Sequence, residues 1–224
     1  MFVLAIDTAT SAVVAGIVEL TGSGLAVRAE KVAHDTRKHG ELLVPGLLAA
    51  CAEAGITLRD AGAVVVGRGP GPFTGLRVGM VTAAALGDAL DVGVYGVCSL
   101  DAIACDVPAA TGPERFAVIT DARRREVYWA VYDGGRRLSG PHVDPPAVAA
   151  QEMAELEVAA AAGSVAHVEA LGLAFLEPAF PSPAGLVGAA ASVLRSGTPP
   201  QPLVPLYLRR PDAEVPGERK RVTA

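Results

Sequence analysis

The chain has 224 residues, 51% hydrophobic and 19% charged, with a formal net charge of −5. That balance excludes a disordered chain, and its aperiodic Gly and Pro exclude a collagen-like one. The length accommodates one large or two small domains with a real core, and the mild acidity argues against a protein that grips nucleic acid unaided.

Residues 2–6 are a short run of β-forming residues ending in the polar turn Asp7-Thr8-Ala9-Thr10-Ser11. Residues 12–19 are apolar again, Thr21-Gly22-Ser23-Gly24 is a second turn, and residues 25–32 alternate imperfectly. Three strands joined by tight turns predict an antiparallel meander. The period then changes: Leu43, Leu47, Ala50, Cys51 and Ala54 recur at helical spacing over residues 38–54. Pro45 either sits in the first turn of a helix starting near Leu42 or kinks a longer one, and Gly55 fits a C-cap. Residues 63–67 are wholly apolar, which predicts a strand buried on both faces. A Gly/Pro loop leads to a second helix over 74–90, a strand over 92–97 and a short helix over 99–105 capped by Ser99. This β-β-β-α-β-α-β order implies a mixed sheet with helices packed on it.

The Pro-, Gly- and Ala-rich stretch 106–114 marks a boundary between an N-terminal half, 1–105, and a C-terminal half, 106–212. Residues 116–119 and 126–132 read as a strand pair, 134–146 as loop, and 151–156 and 184–194 as helices. Residues 158–166 stay open between strand and helix. The chain from Thr198 is proline-rich, and 213–224 reads as a disordered tail. No internal sequence repeat stands out. There is no secretory signal and no apolar run of the roughly 18 residues that cross a bilayer, so a cytoplasmic protein is expected. Cys51, Cys98 and Cys105 read as reduced thiols used as small buried hydrophobes.

Among chemistry-bearing motifs the Gly-rich segment Gly67-Arg68-Gly69-Pro70-Gly71-Pro72-Phe73-Thr74-Gly75 is the strongest. It follows a buried strand and opens a helix, the geometry of an anion site. It lacks the Lys-Ser/Thr of a P-loop and the third Gly of GxGxxG, and its prolines remove N–H donors, so a rigid turn is the simpler reading. In the helix that follows, Gly75, Gly79, Ala83 and Gly87 form a ladder of small residues that demands a close neighbour. The preceding helix, with Leu42, Leu43, Val44 and Leu47, is apolar on more than one side, which favours a partner. Asp7, Thr8 and Thr10 would suit a metal-bound phosphate or an ordinary Asx turn. His34, His39, His142 and His167 have no metal spacing, and no nucleophile elbow occurs. Arg123-Arg124-Arg125 reads as a solvated turn, with contact to an RNA backbone as the sharper alternative.

In combination these segments are more specific. Asp7-Thr8-Ala9-Thr10, His39-Gly40-Glu41-Leu42-Leu43-Val44-Pro45, the Gly-rich loop through Leu76-Arg77-Val78-Gly79, Asp121-Ala122-Arg123-Arg124-Arg125-Glu126-Val127-Tyr128 and Pro205-Leu206-Tyr207-Leu208-Arg209 closely resemble the TsaB (YeaZ) family. The resemblance is dense over the first half and returns near Pro205. It implies an α/β, actin/sugar-kinase/Hsp70-like (ASKHA) fold of two halves, each a mixed sheet with packed helices. It implies a non-catalytic subunit of the machine that makes N6-threonylcarbamoyladenosine at position 37 of ANN-decoding tRNAs. The implied partners are TsaD and the ATPase TsaE, with a homodimer when alone and tRNA reached through the complex. ATP serves the wider complex, and neither cofactor nor metal is expected on this chain alone. Pro72 stands where the family loop has Ser, and Gly40 where it has Ser; Ala9 replaces the Gly of phosphate-gripping relatives, which argues against independent ATP binding.

The expected partner face comprises His39, Glu41, Leu42, Leu43, Pro45 and Leu47 from the first helix, and Phe73, Thr74, Gly75, Leu76, Arg77, Gly79, Met80 and Ala83 from the second. Asp7, Thr8 and Thr10 are then a vestigial nucleotide site. On this reading Gly79→Leu blocks heterodimer formation and leaves the monomer folded. Two alternatives are a sugar-kinase-like phosphotransferase using Asp7 and the Gly-rich loop, and a metalloprotease, which predicts bound zinc.

Overall fold

The computed structural model describes residues 1–34, 38–108 and 112–209. The tail expected over 213–224 therefore lies outside the described residues. β1 (Phe2–Asp7), β2 (Ala12–Leu20) and β3 (Leu25–His34) form the antiparallel meander. α1 (His39–Glu53), β4 (Ala61–Gly67), α2 (Phe73–Leu90), β5 (Gly93–Val97) and α3 (Ser99–Cys105) follow. β4 runs parallel to β1, and β5 to β4, so the sheet order is β3-β2-β1-β4-β5. The apolar run of β4 fits that inner position, where both faces are covered. Pro45 lies in the interior of α1 on its exposed side, where water can satisfy the carbonyl its ring leaves unpaired.

The second half repeats this plan. β6 (Arg115–Asp121), β7 (Val127–Asp133) and β8 (Arg136–Asp144) form a second meander, followed by α4 (Pro146–Glu155), β9 (Ala160–Gly163), α5 (Val165–Ala170), β10 (Ala174–Leu176) and α6 (Pro183–Arg195). Its order, β10-β9-β6-β7-β8, places the parallel strands where β4 and β5 stand in the first sheet. Two expectations change here. The loop expected over 134–146 is mostly strand β8, an edge strand whose Gly140-Pro141 sits beside a register shift. The open stretch 158–166 holds β9 and the start of α5, and the three-residue β10 was too short to carry a pattern.

Each half sends its last helix to the other. α1 and α2 cover one face of the first sheet through Leu43, Leu47, Leu76 and Met80. The other face is covered by α6, whose Leu186, Val187, Ala190 and Leu194 pack on Val3, Ala5, Val18 and Val65. Conversely, Leu100, Ile103 and Ala104 of α3 pack on Phe116, Val118 and Tyr132 of the second sheet. Met153 of α4 and Val168 of α5 cover its far face with Ile119 and Trp129. Each fully buried large apolar side chain contributes about 1.5–3 kcal/mol relative to exposure, so the exchanged helices bind the halves into one core. After α6, residues 198–209 run back across the first half, with Leu206 N donating to Arg68 O (2.8 Å).

Candidate functional site

The ends of β1, β4 and β5 meet at the Asp7 cluster. Asp7 is fully buried. Its Oδ1 accepts from Ala9 N (2.8 Å) and its Oδ2 from Ser99 Oγ (2.5 Å). Ser99 is thus not the cap expected of it: Cys98 holds the N-cap position of α3, and the Ser99 hydroxyl is spent on Asp7. Burial pushes the Asp7 carboxyl up to about 6, against the lowering effects of Ser99, the Ala9 amide and His39. A Cβ on Gly67 would collide with Asp7 Oδ2, so only Gly fits at the end of β4. This carboxyl is enclosed by its own chain, with each oxygen already accepting an internal hydrogen bond.

Thr8 and Thr10 are equally engaged. Thr8 Oγ1 donates to Gly75 O (2.7 Å) and accepts from Gly79 N (3.0 Å), clipping the first turns of α2 to the β1–β2 turn. Thr10 Oγ1 accepts from Ala12 N (3.2 Å), and His39 Nε2 donates to Thr10 O (3.3 Å). The N-terminal part of the small-residue ladder, Gly75 and Gly79, faces this turn. A Cβ on Gly75 would lie 2.7 Å from Thr8 O, one on Gly79 2.5 Å from Thr8 Oγ1, and one on Gly87 would strike Val94. A Cβ on Gly71 would strike Ala9 O, so the Gly-rich loop lies directly on the turn where a phosphate would have to enter.

This corrects the partner face. His39, Leu43, Leu47, Gly75, Leu76, Gly79, Met80 and Ala83 are buried within the chain, and Leu42 packs against the core. The neighbours that the ladder demanded lie within the chain, the β1–β2 turn for Gly75 and Gly79 and Val94 of β5 for Gly87. Glu41, Pro45, Phe73, Thr74 and Arg77 are exposed. The outer side is dominated by Val44 (43% exposed), which the sequence placed on the two-sided apolar helix but not on the partner face, and by Leu48 (49%) and Val81 (67%), which the sequence reading missed. With Ala49, Ala52, Ala84 and Ala85 they make the outward faces of α1 and α2 apolar, with Glu41, Glu53, Arg77 and Asp88 among the exposed charges. The signal was present as a second helical row, Val44 and Leu48, one position after the buried row Leu43 and Leu47. Isolated exposed apolar residues are ordinary, whereas a set on two adjacent helices is the pattern that docking surfaces share.

One end of that face is built from three elements. The Phe73 and Tyr207 rings stack 5.1 Å apart, the Arg77 guanidinium sits 3.6 Å over Phe73, and Arg77 Nε donates to Tyr207 Oη (2.9 Å). Beside them, a cavity of about 360 Å³ is lined by Pro72, Phe73, Arg123, Tyr128, Tyr207 and Arg209. Arg123, Arg124 and Arg125 take φ of 61°, 52° and 62°, three consecutive residues in the left-handed region. Arg123 N donates to Asp121 Oδ1 (2.7 Å), and Arg209 pairs with Glu126.

Elsewhere, Cys51 and Cys98 are buried but Cys105 is exposed, unlike the expectation for all three. Among the described residues no group of three His, Cys, Asp or Glu is placed to hold a metal ion. Among them, too, no helix is long and apolar enough to cross a membrane.

A family model described as "TsaD: tRNA N6-adenosine threonylcarbamoyltransferase" matches residues 26–214. An uncharacterized protein of Mycobacterium tuberculosis is 53% identical over 212 residues, 95% of this chain and 93% of its own. The Escherichia coli tRNA threonylcarbamoyladenosine biosynthesis protein TsaB is 35% identical over 132 residues, 59% of this chain and 55% of the E. coli protein. YeaZ from Pseudomonas aeruginosa superposes with a TM-score of 0.72 at 26% identity, covering 92% of this chain and 99% of that one. An inorganic polyphosphate/ATP-glucomannokinase from Arthrobacter sp. shares the fold alone, with a TM-score of 0.50 at 14% identity over 87% of this chain and 99% of that one. The architecture is thus ASKHA-like.

Proposed function

The chain belongs to the TsaB (YeaZ) family and to the wider family of the TsaD model, and from that premise we propose that it serves tRNA threonylcarbamoyladenosine biosynthesis as a non-catalytic subunit. It acts in the cytoplasm by docking TsaD on the outer face of α1 and α2, with Val44, Leu48, Val81 and Phe73 at the contact and Glu41, Pro45, Thr74 and Arg77 around it. TsaE joins that pair, tRNA is reached through the complex, and the same face closes a homodimer when TsaD is absent. The observation that carries the reading is the apolar outer face of α1 and α2, where Val44, Leu48 and Val81 are left exposed among the described residues.

The enclosed Asp7 cluster supports the non-catalytic part. A phosphotransferase needs a carboxylate open to metal or substrate, whereas Asp7 has both oxygens in internal hydrogen bonds and the Gly-rich loop rests on Ala9. On this proposal the isolated chain holds no nucleotide.

The test is co-purification with TsaD of the same organism, followed by a tRNA modification assay with and without the chain. Wild type co-purifies and is required, while Val81→Asp folds normally and does neither. If TsaD neither binds the chain nor needs it, the reading falls, and nucleotide binding by the isolated protein becomes the next measurement.

A further inference from the structure

On the opposite side of β5 from α2's loop, a cavity of about 560 Å³ lies between the halves, walled by β5, α3, α6, the β7–β8 turn and residues 198–202. That size suits a small-molecule ligand. Among the described residues that line it, three are charged: Arg68, Asp101 and Arg137. Asp101 is already satisfied. Arg137 Nη1 donates to both its oxygens (2.9 and 3.1 Å), and Tyr132 Oη donates to Oδ1 (2.8 Å).

Arg68 is not. Its Nε is buried without a hydrogen-bond partner, and among the described residues no carboxylate pairs with its guanidinium. Its place is nonetheless built. Arg68 N donates to Val97 O (2.8 Å), Arg68 O accepts from Leu206 N (2.8 Å), and a Cβ on Gly96 would come 3.2 Å from Arg68 Cδ. Gly96 thus leaves room for the Arg68 stem against the strand. Tyr95 Oη donates to Thr198 O (3.2 Å) and ties residues 198–202 over the cavity. The buried Cys98 thiol is pushed up to about 11, chiefly by burial, so it adds no charge at neutral pH. Among the described residues one positive charge is left uncompensated in this concave, largely apolar space, and a buried unpaired donor on a charged group calls for a partner.

We infer that this cavity binds a small organic anion, a carboxylate or phosphate monoester, whose head pairs with Arg68 and whose apolar body lies on Ala189, Val193 and Pro199. Guanidinium offers both head groups a bidentate fork. The site is separate from the α1–α2 face and does not depend on the proposed role in tRNA modification.

Titration of the full chain with butyrate and with phenyl phosphate, followed by ¹⁵N NMR and calorimetry, tests it and tells the two head groups apart. Saturable binding of at least one, at about 1 mM or tighter, is expected. Arg68→Gln, which breaks no internal hydrogen bond of that side chain, should weaken it at least about tenfold while the melting temperature holds. Asp101→Asn removes the one negative charge and should tighten it, whereas Arg77→Gln, outside the cavity, should leave it unchanged. A wild type that binds neither probe at about 20 mM, well above that Kd, overturns the inference. So does an Arg68→Gln protein that binds as wild type does, or an Asp101→Asn protein that folds and binds more weakly.

Discussion

The helix that follows β4 has 18 residues and the one that follows β9 has six, although both join the same two positions of the same sheet order. The helices before those strands differ likewise, 15 residues in α1 against ten in α4. A sheet face needs only enough helix to bury its own side chains. In the second half α4 and α5 provide that and little more. In the first half α1 and α2 cover the sheet with one row of residues and leave a second apolar row outside. The repeated topology therefore separates what the fold requires from what the first half adds, and the addition is the exposed apolar face for which we propose a docking role.

The largest expected break in this comparison is Gly79→Leu. It forces a side chain into Thr8 and removes the clip between the β1–β2 turn and α2. Urea unfolding should show a loss of about 3–5 kcal/mol, the size of core overpacking plus a broken buried hydrogen bond. Ala166→Leu on the exposed side of α5 should change stability by no more than about 0.5 kcal/mol. A Gly79→Leu protein as stable as wild type would mean that the ladder faces outward after all.

Next comes a matched pair of surface charges. Val81→Asp on α2 should reduce TsaD affinity by about 2 kcal/mol or more, as at a docking hot spot, with stability held within about 0.5 kcal/mol. Val148→Asp on α4, at a valine that is also exposed, should leave affinity unchanged. Equal losses from both would remove the distinction between the halves.

How much of this was legible in the sequence follows from the same comparison. The first half was readable because its strands are long, its period switches cleanly at Leu43, and its turns carry Gly, Thr and Asp. The second half was less so: β9 is Ala160-Ala161-Ala162-Gly163, which has no β-forming side chain to announce it, and β8 contains Gly140-Pro141. The internal repeat lives in strand order, which no residue pattern encodes. At the site, Asp7 and the Gly-rich loop were visible as motifs, but Ser99, 92 positions away, could be joined to Asp7 only by the fold. The ladder was read correctly as needing a neighbour, and the neighbour was local because Thr8 supplies both a donor and an acceptor to α2.

The first strand of each half ends in an aspartate, and the two sit in opposite surroundings. Asp7 is enclosed, with its carboxyl raised from 3.8 to about 6 by burial, whereas Asp121 is half-exposed. Between those two pH values the folded chain holds a proton on Asp7 that the unfolded chain has released. Stability therefore falls as pH rises through that window, and the full penalty stands above it. Asp7→Asn should stabilise the protein at pH 8 by about 1–2 kcal/mol, with the gain fading below pH 4. Asp121→Asn should change stability by no more than about 0.5 kcal/mol. Thermal melts of both variants across this range check the contrast; a pH-independent Asp7→Asn effect would mean that burial does not govern this carboxyl.

The smallest effect sharpens the comparison most, because the same substitution should have opposite signs in the two halves. The β6–β7 turn holds Arg123, Arg124 and Arg125 at positive φ, while no residue of the β1–β2 turn adopts it. A side chain in the left-handed region costs about 1–2 kcal/mol, which glycine escapes, though glycine gives back part of that through the greater freedom of its unfolded chain. Arg125→Gly should therefore stabilise the protein by about 0.5–1 kcal/mol. Ala9→Gly, at a buried residue with ordinary φ, should destabilise it by about the same amount. Urea midpoints that move apart would locate backbone strain in the arginine turn alone. If Arg125→Gly lowers the midpoint instead, interactions of the Arg125 side chain outweigh the strain, and that turn is held by its arginines rather than in spite of them.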